Sequence, residues 1–244
     1  MTNDKQNIAI IGASGGIGGA LVSLFLNRPD TACVYGFSRS VDPNRLGKNE
    51  KLVGCQLDIT DESSFKSAIE TLPDGFVFDY VIVASGLLHS MTVQPEKSIQ
   101  SVSKLSFIDV LTVNTVGPAL VMKYFLPLLR PNTRSVIAIL SARVGSISDN
   151  RLGGWYAYRA SKSAVNMVIK TAAIEQARRQ KQHIIIGIHP GSVDTALSKP
   201  FQSRSQYHFQ RVESAAEHIE AVLRQCDVAS SGKVFDWKGD EVLP

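Results

Sequence analysis

Ile8-Ala9-Ile10-Ile11-Gly12-Ala13-Ser14-Gly15-Gly16-Ile17-Gly18-Gly19 is the stretch on which the fold turns. Its first four residues are a short apolar run closed by glycine, the pattern of a strand buried on both faces. Residues 20–27 read as the body of a helix. Between the two, Gly12, Gly16 and Gly18 fall in the spacing G-x-x-x-G-x-G. The first permits a tight turn, the second lets the backbone approach a pyrophosphate, and the third lets helix and strand pack closely. Free N–H groups at the helix start then offer partial positive charge to a phosphate. A glycine loop alone is a weak signal, and its weight here comes from its place between a first strand and a first helix. Gly12, Ser14, Gly15, Gly16, Ile17 and Gly18 are therefore the candidate phosphate-loop residues.

Outward from this loop the alternation continues. Residues 33–37, 51–56, 80–84, 135–140 and 184–188 are apolar runs of strand length, and 234–237 reads as a closing edge strand. Helical stretches fall at 62–71, 107–129, 156–179 and 213–224. Strands that are apolar throughout and separated by helices predict a parallel sheet covered on both faces. The expectation is an α/β chain folded as a single domain over residues 1–244. It has one long irregular stretch, about 191–212, of the kind that serves as a substrate loop.

Composition narrows the function classes. The 244 residues suit one α/β domain, and the net charge of +4 is modest. No dense Lys/Arg stripe of the kind nucleic acid requires is visible. The cysteines, Cys33, Cys55 and Cys226, are sparse and unpaired by any motif spacing, which fits a reducing compartment. The start of the chain is polar and lacks a signal-peptide pattern, and no run is expected to approach the roughly 20 apolar residues of a membrane span. A soluble cytoplasmic protein is expected. His89, His183, His189, His208 and His218 show no metal spacing, and no metal is expected.

Two constellations carry chemistry. After the second strand the chain reads Ser38-Arg39-Ser40, with no acidic residue before Asp42. A carboxylate there would hold a ribose 2′-hydroxyl; an arginine instead pairs with a 2′-phosphate, and Ser38 can add a hydroxyl. This favours NADP(H) over NAD(H). Further on, Tyr158 and Lys162 stand four residues apart on a helix, hence on one face. A free phenol titrates near 10 and is a poor base at neutral pH. Lowering that value by about three units takes roughly 4 kcal/mol, which Lys162 and an oxidised nicotinamide ring can supply together.

These features, in this order, resemble the short-chain dehydrogenase/reductase family along the whole chain: the glycine loop, Asp58, Asn114, Ser141, Tyr158-x-x-x-Lys162, and Pro190-Gly191 with Thr195. The segment from Val144 to Lys162 resembles more narrowly its C-factor-like and Sniffer-like carbonyl reductases. The resemblance implies a Rossmann fold with a doubly wound seven-stranded parallel sheet, a carbonyl or alcohol substrate, and a homodimer or homotetramer. It implies that Tyr158 is the general acid and base, that Lys162 holds the nicotinamide ribose, and that Asn114 holds a relay water inside a helix bend. Asp58 would meet the adenine edge with Ile59 alongside. Ala84, Ser85 and Gly86 would approach the cofactor, Pro190, Gly191 and Val193 would line the nicotinamide, and Thr195 would bind its carboxamide.

The chain departs from the family pattern twice. Ala84-Ser85-Gly86 stands where the family has Asn-Ala-Gly, which removes an amide that steadies the neighbouring loop. Ala142 stands at the second of two serines after the fifth strand, the one that orients the carbonyl. Ser141 is the preferred replacement, Ser146 the alternative, and a missing hydroxyl the third possibility. Trp155 and Tyr156 either wall the substrate pocket or simply pack; Phe201, Tyr207 and Phe209 either cover an apolar substrate or pin their loop. Two functions stay open: an oxidoreductase, and a dinucleotide-binding signalling or cofactor-sensing protein with little turnover.

Overall fold

The computed structural model describes residues 5–40, 49–179, 182–204 and 208–244, so Asp42 and Tyr207 lie outside it. The strands are β1 (Gln6–Ile11), β2 (Thr31–Ser38), β3 (Leu52–Gln56), β4 (Tyr80–Val83), β5 (Ser135–Leu140), β6 (His183–His189) and β7 (Val234–Asp236). They form one sheet in the order β3-β2-β1-β4-β5-β6-β7. Every pairing is parallel. This is the doubly wound α/β fold expected from the alternation of apolar runs and helices.

Alternate residues of each strand feed two cores. Ala9 and Ile11 face one side, with Phe65, Val121, Phe125, Val165 and Ile169. Ile8 and Ile10 face the other, with Leu21, Phe25, Ala216, Ile219 and Leu223. The first side is covered by α2 (Glu62–Glu70), α4 (Gly117–Phe125) and α5 (Tyr156–Arg179), the second by α1 (Gly16–Leu26) and α6 (Val212–Gln225). Strands buried on both faces need no polar alternation, which is why their sequences read as unbroken apolar runs.

The structure refines three of the expected elements. Helix α1 starts at Gly16, four residues early, because the glycine loop runs straight into the first turn. The helix expected over 107–129 begins with α3 (Lys104–Leu111), passes through a π-type turn at Thr112–Val116 and continues as α4. The whole rod, Lys104–Leu128, is long and apolar enough to cross a membrane, contrary to the expectation that no run approaches such a span. Here it lies against the sheet, with Val121, Met122 and Phe125 buried. Third, the irregular stretch after β6 holds a 3₁₀ turn, Lys199–Arg204, and is closed at its base by a bridge between Val193 and Gln210.

Strand order reverses between β1 and its neighbours β2 and β4. In open parallel sheets the crevice at the carboxyl ends of such strands is where ligands bind. The loops after β1, β2, β3, β4, β5 and β6 all empty there, and together with Ser38 at the end of β2 they carry every candidate residue outside the helices.

Candidate active site

The glycine loop is built to receive an anion. Gly15 caps α1 without any side-chain hydrogen bond, and no acidic residue occupies the first turn. The first N–H groups of the helix therefore have no side-chain cap, and Ser14, Gly15 and Gly16 are exposed at the tip. Gly12 has φ +90°, and a Cβ there would press on Ser85 Oγ at 2.7 Å. A Cβ on Gly18 would lie 2.1 Å from Gly12 O, so only glycine lets the helix leave the strand this tightly. Ser85 and Gly12 thus pack together, which joins the loops after β1 and β4. Thr195 reaches the same loop, its Cγ2 lying 3.1 Å from where a Gly16 Cβ would be. These features fit a dinucleotide.

At the far end of the crevice Arg39 is exposed, and its charge helps to hold Asp58 below the usual carboxylate range. The main cause of that depression is the Thr60 hydroxyl, which donates to Asp58 Oδ1 at 2.7 Å. The two residues therefore share one side of the pocket. Two companions are occupied elsewhere. Ser38 Oγ is buried and donates to Ser40 O at 2.6 Å. Ile59 turns its side chain inward against Gly117, 2.9 Å from where a Cβ would be, because α4 packs closest there. Both side chains are thus committed to contacts within the protein.

Tyr158 and Lys162 lie on one face of α5. Lys162 is 4% exposed, and its Nζ donates to Leu140 O at 2.8 Å and sits 5.7 Å from the centre of the Tyr158 ring. The absence of a Cβ on Gly145 makes this approach possible: one would lie 2.8 Å from Lys162 Cβ. Burial pushes the Tyr158 phenol up to about 12 and pulls the Lys162 ammonium down to about 8. The expected depression of the phenol by Lys162 is thus outweighed by desolvation. The ammonium is spent on a carbonyl, and the phenol keeps its proton at neutral pH.

Asn114 occupies the middle of the π-type turn and is 1% exposed. Its Oδ1 accepts from Leu87 N–H at 2.7 Å; its Nδ2 donates to Leu87 O at 2.8 Å and to Ser161 Oγ at 3.0 Å. One amide hydrogen and the side-chain oxygen steady the loop after β4, and the other amide hydrogen goes to Ser161 on α5. The loop that Ala84 cannot steady is thus held from the π-type turn. Only a second lone pair on Oδ1 is left to meet a relay water.

The residues at the hydroxyl position differ in direction and partner. Ser141 Oγ donates to Asn166 Oδ1 at 2.6 Å and is 4% exposed. Ala142 is extended, φ −154° and ψ 147°, so its Cβ points to the opposite side. Ser146 is buried, accepts from Asp149 N–H at 3.2 Å and lies 3.3 Å from Ser148 Oγ. Both serine hydroxyls thus have protein partners.

Two supports were not anticipated. Gln210 ties down the segment expected to line the nicotinamide: its Nε2 donates to Pro190 O at 2.5 Å, and its backbone bonds Ser192 and Asp194. Glu96, 4% exposed, accepts from Ala157 N–H at 3.2 Å and so caps α5 one residue before Tyr158. Neither residue stands in a local motif. A glutamate 61 positions before its N–H partner gives no signal in sequence. His189, whose Nδ1 is buried without a partner among the described residues, is pulled down to about 4 by burial and stays neutral.

The geometry agrees with what the chain is similar to. A family model described as short chain dehydrogenase matches residues 6–206. The C-signal protein of Myxococcus xanthus is 32% identical over 134 residues, covering 54% of this chain and 74% of its own. Among solved structures, the carbonyl reductase Sniffer of Drosophila melanogaster superposes with a TM-score of 0.83 at 22% identity, covering 98% of this chain and all of its own. A short-chain dehydrogenase/reductase from Burkholderia multivorans with bound NADP does so with 0.80 at 27%, again over 98% and 100%. With the sheet order, the anion-ready glycine loop and the Tyr158–Lys162 face in their expected places, the chain belongs to the short-chain dehydrogenase/reductase family of oxidoreductases.

Proposed function

We propose that this oxidoreductase reduces a small or medium apolar carbonyl with NADPH, Tyr158 giving the proton. The observation that carries the reading is the Tyr158–Lys162 face of α5, with buried Lys162 Nζ 5.7 Å from the centre of a phenol that desolvation pushes up. Such a group holds its proton at neutral pH and can release it to an oxygen that is gaining charge. NADPH, when bound, supplies the hydride. Arg39 pairs with the 2′-phosphate, the start of α1 receives the pyrophosphate, and Thr195 and the Pro190–Gly191 turn hold the nicotinamide end. Lys162, still largely cationic near neutrality, steadies the phenolate that proton release leaves behind. Carbonyl reduction by the Sniffer protein and NADP in the Burkholderia protein support the same reading.

The sensing alternative is favoured by one observation: Ala142 carries no hydroxyl and Ser141 Oγ is engaged by Asn166, and loss of one positioning donor commonly costs about 10²- to 10³-fold in rate. The test follows NADPH and NADH oxidation against aldehydes, ketones and quinones, with Tyr158→Phe alongside. Turnover with NADPH that vanishes in the variant supports the reductase. Tight NADPH binding with no turnover on any carbonyl moves the reading to sensing.

The reading also includes a cytoplasmic homo-oligomer. Leu105, Ile108 and Val116 on the long rod, and Met167 and Ile174 on α5, are exposed apolar side chains, and a groove of about 550 Å³ runs between α4 and α5. Sedimentation at micromolar concentration tests it; a monomer would remove that part.

A further inference from the structure

Four rings from three separate segments meet beside the reacting phenol. Trp155 lies 6.1 Å from Tyr158, centre to centre, at 79°, and 5.3 Å from Phe201. His89 lies 5.6 Å from Phe201 and is held by Ala196 O, 3.2 Å from its Nε2. They come from the loop after β4, the start of α5 and the loop after β6. Unlike Phe37, Phe65 and Phe125, which are sealed in the core, all four remain partly exposed. None carries a carboxylate, ammonium or guanidinium.

The wall is held under strain. Gly153, Gly154 and Trp155 follow one another with φ of +64°, +65° and +52°. For tryptophan this conformation is costly and persists only where the surroundings over-determine it. Glu96 does so from both ends of the residue: its backbone O accepts from Trp155 N–H at 2.5 Å, and its Oε2 accepts from Ala157 N–H at 3.2 Å. Arg159 Nε adds a bond to Gly154 O at 3.0 Å. Core packing alone would not need an indole in this backbone state, partly exposed and turned edge-on to Tyr158.

We infer that Trp155, Phe201 and His89 form a subsite for a planar aromatic group next to the reacting carbon, so that the substrate class is aryl ketones and aryl aldehydes. The inference rests on the reductase reading for the identity of Tyr158. A flat ring gains from edge-to-face and offset contact with such walls beyond the area it buries, whereas a saturated ring of the same size gains only the area.

The test compares acetophenone with cyclohexyl methyl ketone, matched in size and differing in aromaticity, using the full chain with NADPH. We expect kcat/KM about tenfold higher for acetophenone. That ratio should fall towards one in Trp155→Ala and be kept in Trp155→Phe. In parallel, a Trp237→Phe background leaves Trp155 as the sole tryptophan. With NADP⁺ bound, its fluorescence should respond to acetophenone and not to the saturated ketone. Equal turnover of the two ketones with no fluorescence response overturns the subsite and leaves the reductase standing. A fluorescence response to acetophenone alone, with no turnover of any carbonyl, keeps the subsite and removes the reductase. A tenfold ratio that survives Trp155→Ala overturns the assignment of the wall.

Discussion

Lys162→Met should stabilise the fold near neutral pH while abolishing turnover. The side chain is 4% exposed, and burial pulls its ammonium down to about 8 from an ordinary 10.5. Each unit is worth about 1.4 kcal/mol, so keeping the cation inside costs about 3 kcal/mol at pH 7. Methionine fills similar space without a charge. It also strips Leu140 O of its bond from Nζ, a loss of about 1–3 kcal/mol for a buried carbonyl. The remainder is a gain of about 1 kcal/mol, or a Tm rise of roughly 2–4 °C for a chain of this size. The pH dependence provides the sharper test. The folded pKa lies below the unfolded one, so from about 8 to 10.5 the unfolded chain binds more protons and wild-type stability climbs relative to the variant. Below that window the penalty is fully present. Above it lysine is neutral in both states, and only the lost hydrogen bond separates the two proteins. The ranking should therefore invert, the variant leading at pH 7 and the wild type at the alkaline end. Denaturant melts of both proteins across this range, followed by tryptophan fluorescence, measure it. A variant that is less stable at pH 7, by a margin that stays constant with pH, would refute the claim that charge burial dominates at this position.

Three further outcomes follow from the site. Arg39→Ala should cut the NADPH-over-NADH ratio of kcat/KM roughly 30-fold, the worth of a charge-assisted phosphate contact of about 2 kcal/mol. Because Arg39 is exposed, the effect should shrink as salt rises; an unchanged ratio sinks the 2′-phosphate assignment. Ala142→Ser places a hydroxyl opposite Ser141 and should raise kcat by about 10², whereas a variant no faster than wild type would show that this side does not face the carbonyl. Glu96→Ala should cost about 1–2 kcal/mol in stability, as loss of a helix cap does. It should also lower kcat, with Glu96→Gln recovering most of both because the amide oxygen still accepts from Ala157 N–H. If Gln fares no better than Ala, the cap is not what Glu96 provides.

Much of the fold could be read without coordinates because short-range rules encode it. Apolar runs of strand length, broken by helices with caps and glycine turns, specify a parallel sheet whichever residues later touch. The glycine loop and the Tyr158–Lys162 spacing are equally local, since one turn of chain decides their geometry. Isolated polar residues obey no such rule, and their partners lie far off in the chain. Asn114 finds Leu87, Glu96 finds Ala157, and Ser141 finds Asn166. Ser141 and Ala142 are neighbours that face opposite ways, and only the strand's placement against α5 decides which one meets the substrate side. Ile59 turned inward for the same reason: the closest approach of α4 is a property of the packed sheet. Sequence alone therefore determined the architecture, the tight glycine turn into α1 and the shared face of Tyr158 and Lys162. Tertiary packing decided which side chains are spent on structure and which remain free for chemistry, because that choice is made between segments that meet only when the sheet and helices close.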